Sequence, residues 1–174
     1  MVDMFPWVFA FITMGAMTLL SLYYVYERKA RLSEMCCMMN GMMYGNLPGL
    51  IVGVLYALPT GDYLMGTILG TIAGLVVGIP IGRSGGPLGR MEGVMAGFMG
   101  GTMGAMLGFM MRFVNLQLFM QFLIASVALM SFEIAYVAYK ETGKEEMPKA
   151  LLALFVAIFI IAIAGTFVFN YTIK

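Results

Sequence analysis

The sequence contains no histidine, and its only two cysteines, Cys36 and Cys37, are adjacent. The lack of histidine removes the commonest zinc ligand, the commonest general base and the usual proton switch near neutral pH. A disulfide between neighbouring residues would be strained, so no disulfide framework is expected. The sequence also lacks a nucleophile motif and a nucleotide-binding fingerprint. We therefore expect neither catalytic residues nor an enzyme.

Charged residues are scarce as well. They make up 11% of the chain, whereas a typical soluble domain has about 25%. The charges are segregated, and the uncharged stretches between them are long enough to indicate membrane spans. The net charge of +1 gives no electrostatic support for a nucleic-acid partner. The lipid bilayer is thus the first expected partner.

Six apolar runs predict an all-α integral membrane protein, a six-helix transmembrane bundle that forms a single domain over residues 1–174. Continuous runs favour helices over barrel strands, because backbone groups in lipid must be paired within the segment. The first run follows Asp3, is long and has no small-residue cleavage site, so we interpret it as a retained span. The predicted spans 1 to 6 are residues 5–26, 35–60, 63–82, 93–111, 113–139 and 150–172.

Basic residues predict the orientation of the spans. Eight of the ten basic residues lie in the three connections that share one side of the membrane, which we interpret as cytoplasmic. Both termini are then outside, and the short loops favour a prokaryotic inner (plasma) membrane. The eight residues are Arg28, Lys29, Arg31, Arg83, Arg90, Lys140, Lys144 and Lys149.

Glycine recurs at every fourth position in spans 2, 3 and 4, and residues four apart share one helix face. Such faces let membrane helices approach closely. The pattern predicts a glycine-zipper core of these three helices, with spans 1, 5 and 6 facing lipid or a second subunit. A role in packing alone also explains the rows. The residues are Gly41, Gly45, Gly49, Gly53, Gly66, Gly70, Gly74, Gly78, Gly82, Gly93, Gly97 and Gly101.

Spans 2 and 4 align without gaps at an offset of 52 residues, so that Gly45 and Gly49 match Gly97 and Gly101. This match is typical of a duplicated helical hairpin, in which spans 1–2 and 3–4 are parallel repeats. Alternatively, two unrelated helices that each carry glycine at every fourth position would also align at some offset. Within span 2, Pro48 predicts a break or hinge, and residues 82–90 are expected to form a flexible basic turn.

Twelve of the twenty methionines lie in spans 2 and 4 or, for Met91, just before span 4. Thioethers and thiolates are soft ligands that select copper(I), and a row of methionines could pass such an ion from site to site. Methionine also fills irregular gaps beside glycine, and juxtamembrane cysteines are targets of palmitoylation. The candidate metal ligands are Met35, Cys36, Cys37, Met39, Met43, Met91, Met95 and Met99.

Polar residues inside apolar spans are secondary candidates. Asn40 and Glu92 occupy matching positions in the offset of 52 and could supply oxygen ligands. Glu92 also fits an acidic residue near a helix N-terminus. Glu133 is interpreted either as part of a transport path or as a buried partner of Arg83 or Arg90.

Two families share short features with the chain. The adjacent cysteines resemble the paired cysteines in a transmembrane helix of bacterial mercuric-ion transport proteins, although the proline that follows them arrives only at Pro48. The spacing of Met91 and Met95, with glycine zippers elsewhere, resembles the eukaryotic copper-uptake family, whose subunits have three helices. Each resemblance covers a handful of residues and implies soft-metal transport.

These patterns favour a small transporter or channel whose cargo is a soft metal ion such as copper(I). The alternatives are a structural or accessory membrane subunit that assembles through its glycine faces, and a carrier of another small solute in which methionine serves only as packing. A homo-oligomer and a membrane-protein partner are both compatible with the sequence.

Overall fold

The computed structural model describes residues 4–28, 32–111 and 116–141, together with 156, 157 and 160. These residues form helices joined by short turns, and no strand occurs among them. The all-α prediction is confirmed for this part of the chain. The helices are α1 (Met4–Arg28), α2 (Glu34–Thr60), α3 (Tyr63–Gly82), α4 (Gly86–Met111) and α5 (Leu116–Glu141), with a short 3₁₀ turn at Arg83–Gly85.

Within the described residues, three helical stretches are long and apolar enough to cross a membrane, which indicates a membrane protein. They are Glu34–Thr60, Tyr63–Met111 and Phe119–Val137, and the second contains both α3 and α4. The apolar part of α1, Phe11–Tyr23, is shorter. Predicted span 6 lies outside the described residues, apart from 156, 157 and 160, which are helical.

Local sequence explains the tight connection between α2 and α3. Gly61 takes a left-handed conformation with φ of 72° and donates its N–H to the carbonyl of Ala57 at 2.9 Å. Such a conformation favours glycine because no Cβ is in the way. The Asp62 carboxylate then accepts a hydrogen bond from the Met65 N–H at 3.2 Å and so caps α3. Both predicted boundaries here, Thr60 and Tyr63, are correct.

The predicted break at Pro48 and the predicted start of the fourth helix are wrong. Helix α2 continues through Pro48, since residues on both sides of the proline are held by tight packing against other helices. Helix α4 begins at Gly86 rather than at residue 93, because Pro87 fits the first turn of a helix, where its missing N–H needs no partner. Only Arg83–Gly85 forms the turn that was expected over 82–90.

Helices α2, α3 and α4 contact one another extensively, and their contacts run through glycine. A carbon added as Cβ at Gly74 would lie 2.6 Å from both the carbonyl oxygen of Gly45 and Cα of Gly97. An added Cβ at Gly70 would lie 2.8 Å from the Gly49 oxygen. Since these neighbours are backbone atoms, no larger residue fits without moving a helix.

Helix α4 carries a second glycine row that the sequence analysis did not separate from the first. An added Cβ at Gly97 or Gly101 would meet α3, whereas one at Gly100 or Gly104 would meet Asn46 or Leu50 of α2. The two rows lie side by side on α4 because residues 97 and 100, like 101 and 104, are three apart. One helix can therefore lie close to two neighbours at once.

The opposite side of α2 packs quite differently. There Tyr44, Leu47 and Ile51 join a core of large side chains from α1 and α5. Helices α1 and α5, which we expected to face lipid or a second subunit, bury one face each in this core. Its other members are Phe11, Met14, Val54, Leu58, Phe119, Met120, Leu123, Ile124, Val127 and Ile134.

The sequence offset of 52 reappears as a spatial register between α2 and α4. An added Cβ at Gly49 would lie 2.8 Å from the Gly101 nitrogen, and one at Gly53 would lie 2.8 Å from the Ala105 nitrogen. Gly45, Gly49 and Gly53 thus sit beside their sequence matches, whereas an added Cβ at Gly41 would meet Gly82 and Gly89. However, α1 contacts α2 far less than α3 contacts α4, so the resemblance in packing is limited to α2 and α4.

Candidate functional site

The two cysteines lie in the first turn of α2, and both are buried and unbridged. Ser33 precedes this helix and caps it, because its hydroxyl accepts a hydrogen bond from the Cys36 N–H at 3.2 Å. One turn further on, the Asn40 amide donates to the Cys36 sulfur at 3.5 Å. Both Asn40 and the thiols are therefore directed into the protein.

Glu141, at the end of α5, contacts Ser33, the residue that caps α2. Its carboxylate accepts the Ser33 backbone N–H at 3.0 Å and the Ser33 hydroxyl at 2.8 Å. These bonds, the backbone one first, hold the pKa of Glu141 below its usual range, although partial desolvation opposes them. A carboxylate at this position also complements the positive end of the α2 dipole. The end of α5 is thus tied to the start of α2.

The methionines predicted to join the cysteines point elsewhere. Met35 and Met39 are 73% and 58% exposed, whereas Cys36 and Cys37 are 5% and 3% exposed. The expected cluster is therefore split into buried thiols and outward thioethers on the same turns. Met43 is partly buried and packs against the core of α1, α2 and α5.

The α4 methionines form an exposed row. Met91, Met95 and Met99 are each more than half exposed. They do not fill gaps beside the glycines within the described part of the chain. The register of α2 and α4 places Met39 and Met43 at the levels of Met91 and Met95, on neighbouring parallel helices.

The two acidic candidates, Glu133 and Glu92, are more exposed than the cysteines. Glu133 is exposed on α5, so it forms no buried ion pair with Arg83 or Arg90, both of which are exposed too. Glu92 is partly buried near the start of α4. Across 4–28, 32–111 and 116–141, His, Cys, Asp and Glu form no group of three or more that could hold a metal ion.

A buried polar group between α1, α2 and α5 was missed in the sequence analysis. The hydroxyls of Ser21 and Tyr44 share a hydrogen bond of 2.5 Å, and Ser21 also approaches the Ser131 carbonyl oxygen at 3.2 Å. All three residues are fully buried. The hydroxyls of Ser21 and Tyr44 in otherwise apolar spans were the available signal, since a polar atom in lipid needs a partner.

The chain has two separate sulfur groups on neighbouring helices: buried thiols at the start of α2 and an exposed thioether row along α4. A scan of protein-family models found no match, and searches of curated proteins and of solved structures found no significant match.

Proposed function

We propose that the chain is a small membrane transporter or channel whose cargo is a soft metal ion, with copper(I) the best-supported ion. The supporting observation is the outward row of thioethers on α4, where Met91, Met95 and Met99 are 62%, 61% and 54% exposed. Residues four apart on a helix rise by about 6 Å, so an ion could move between neighbouring sulfurs in short steps. Thioethers favour copper(I) over hard ions such as magnesium.

The proposed path runs along the outside of α2 and α4. A passage between α2, α3 and α4 is disfavoured, because even one added carbon at Gly74 would meet backbone atoms. An exposed row of ligands needs a second wall to shield the ion from lipid. A second copy of the chain would supply the same sulfur chemistry, so the proposal includes a homo-oligomer in which α2 and α4 face their counterparts.

Cys36 and Cys37 are proposed as the exchange point at the cytoplasmic end. A cysteine binds metal as a thiolate, so the capture of copper(I) by one thiol releases one proton. The buried position of both thiols means that capture requires the Ser33–Glu141 contact to open. Asn40, which donates to the Cys36 sulfur, would then be free to orient the bound group.

The proposed transporter is a bundle of membrane-spanning helices. The glycine rows are interpreted as a glycine zipper that holds α2, α3 and α4 together without a hydrophobic driving force. The predicted sixth span, at residues 150–172, would complete a bundle with both termini outside a prokaryotic inner membrane. The basic residues near Arg28 and Arg83 would then face the cytoplasm.

Copper(I) titration of the purified protein against a chromophoric chelator tests this function. We expect binding that is weakened at least tenfold by Cys36→Ser/Cys37→Ser and also reduced by Met95→Leu/Met99→Leu. The matched control is Met65→Leu, because Met65 is 45% exposed but lies on α3. Absence of copper(I) binding above background would remove the metal hypothesis.

An accessory membrane subunit is the second candidate. The favouring observation is the apolar outward face of α3, where Leu64, Ile68 and Ile72 are 65%, 45% and 52% exposed beside a buried glycine row. Such a face can pack against a partner helix. Co-purification of one membrane protein in fixed stoichiometry, together with no copper(I) binding, would favour this function. Transport of another small solute without metal would favour the carrier alternative.

A further inference from the structure

An apolar groove lies between α1 and α3 at the end where both helices finish. Its volume is about 380 Å³. On the α1 side Leu22, Tyr23 and Tyr26 line it, and on the α3 side Val77, Pro80 and Ile81 do so. The lining extends to the last turns of two helices that run in the same direction. The groove therefore opens at one membrane surface.

Basic residues follow the groove lining along both helices. Helix α1 ends at Arg28, and Arg83 directly follows α3 and is exposed. Each of these arginines comes two residues after the last lining residue of its helix, Tyr26 or Ile81. Basic residues at the end of an apolar groove match the charge pattern of an anionic phospholipid.

The lining residues favour a lipid chain over a protein helix. Membrane helices pack closely where small residues let their backbones approach, and the described residues that line the groove include no Gly, Ala, Ser or Thr. Tyr23 and Tyr26 are 69% and 58% exposed, and tyrosine is typical of the level where headgroups meet the apolar layer. A flexible acyl chain suits such a shallow, irregular surface.

We propose that this groove is a binding site for an anionic phospholipid. One acyl chain lies along Leu22 and Val77, and the headgroup phosphate lies at the mouth, near Arg83. A basic residue near a membrane surface strengthens the attraction of an anionic lipid by about fivefold. The site is separate from the sulfur groups on α2 and α4, so the proposal does not depend on metal transport.

Native mass spectrometry of the full chain tests the proposal, after purification from bilayers of phosphatidylglycerol and phosphatidylcholine in equal amounts. We expect wild type to retain phosphatidylglycerol preferentially. Arg83→Gln should lower this preference about fivefold, whereas Arg90→Gln, an exposed arginine on α4, should lower it much less. Val77→Trp should fill the groove and reduce retained lipid of both kinds, and Leu55→Trp, on the exposed side of α2, should not.

Three results would overturn the proposal. Equal retention of the two lipids by wild type would remove the preference for an anionic headgroup. Equal losses in Arg83→Gln and Arg90→Gln would mean that general surface charge, rather than the groove, attracts lipid. A change in oligomeric state in Val77→Trp, with lipid retention unchanged, would assign the groove to a second copy of the chain. Because Arg83 is exposed, its substitution tests the site even if Val77→Trp fails to fold.

Discussion

Gly74 lies where all three central helices approach one another closely. An alanine Cβ there would lie 2.6 Å from the Gly45 oxygen and from Cα of Gly97. Neither neighbour is a flexible side chain, so the helices would have to separate. We predict that Gly74→Ala lowers the free energy of unfolding by about 1–3 kcal/mol, measured by denaturant titration in detergent micelles.

Gly15 provides the matched control on α1. An added Cβ there meets nothing within 4 Å, and alanine is the better helix former. Gly15→Ala should leave stability unchanged or raise it slightly. Equal destabilisation by the two substitutions would contradict the claim that close backbone approach is what requires glycine at Gly74.

Glu141 is the residue whose charge should matter most for the α2–α5 contact. Its pKa is lowered from the usual value of 4.5 by its hydrogen bonds from Ser33. A carboxylate with a lowered pKa in the folded state stabilises that state above its unfolded pKa, and this stabilisation is lost as the pH falls through the folded pKa. We therefore predict that Glu141→Gln is less stable than wild type at pH 7 and that the difference vanishes with acidification below about pH 4.5.

Thermal unfolding of both proteins in detergent between pH 7 and pH 3.5 measures this difference. Ser33→Ala is the partner control, because it removes the hydroxyl that donates to Glu141 at 2.8 Å. In the Ser33→Ala background, Glu141→Gln should have a smaller effect. A stability difference that stays constant across this pH range would show that the Glu141 charge does not stabilise the contact.

At the scale of helices, α4 differs from its neighbours in packing through two glycine rows. One row approaches α3 and the other approaches α2. An alanine Cβ at Gly104 would lie 2.5 Å from the Leu50 oxygen. We predict that Gly104→Ala destabilises the protein by about 1–3 kcal/mol, as much as Gly97→Ala does in the other row.

Met103→Ala is the control for this element, because Met103 is adjacent to Gly104 but 53% exposed. It should change the unfolding midpoint in detergent by less than either glycine substitution. If Gly97→Ala is damaging and Gly104→Ala is harmless, then α4 packs through a single row, as the sequence pattern alone indicated.

At the scale of the whole molecule, the connections define two surfaces. Asp62 lies between α2 and α3, Ser84 lies between α3 and α4, and both are exposed. With Cys36 and Cys37 replaced by serine, we predict that Asp62→Cys reacts with a membrane-impermeant thiol reagent added to intact cells. Ser84→Cys should react only after the membrane is permeabilised. The reverse pattern would invert the orientation inferred from the basic residues.

The sequence predicted the ends of single helices better than it predicted which helices and side chains pack together. The spans at 35–60 and 63–82 match α2 and α3 closely, because a change from apolar to polar residues and a capping Asp62 are local signals. The start of α4 was misplaced because Pro87 reads equally well as a turn residue and as the first residue of a helix. Local signals cannot choose between those two roles.

The candidate site was less predictable for the same reason. Spacing placed Cys36 and Met39 in one cluster, yet the thiol is buried and the thioether is exposed. Residues three apart lie about 60° apart around a helix, and the position of α5 decides which of them it covers. Glu141, which is 108 residues from Ser33 along the chain, carried no local sign of that contact.

The sequence by itself determined that this chain is helical and apolar, since long uncharged runs must pair their backbone groups internally in lipid. It also determined which helix faces carry glycine and therefore have no side chains beyond hydrogen. Only the tertiary structure decided which helices use those faces, that α4 uses two, and that α2 buries glycine on one side and large side chains on the other. Periodicity gives the faces of one helix, whereas the choice between neighbours depends on all the helices packing at once.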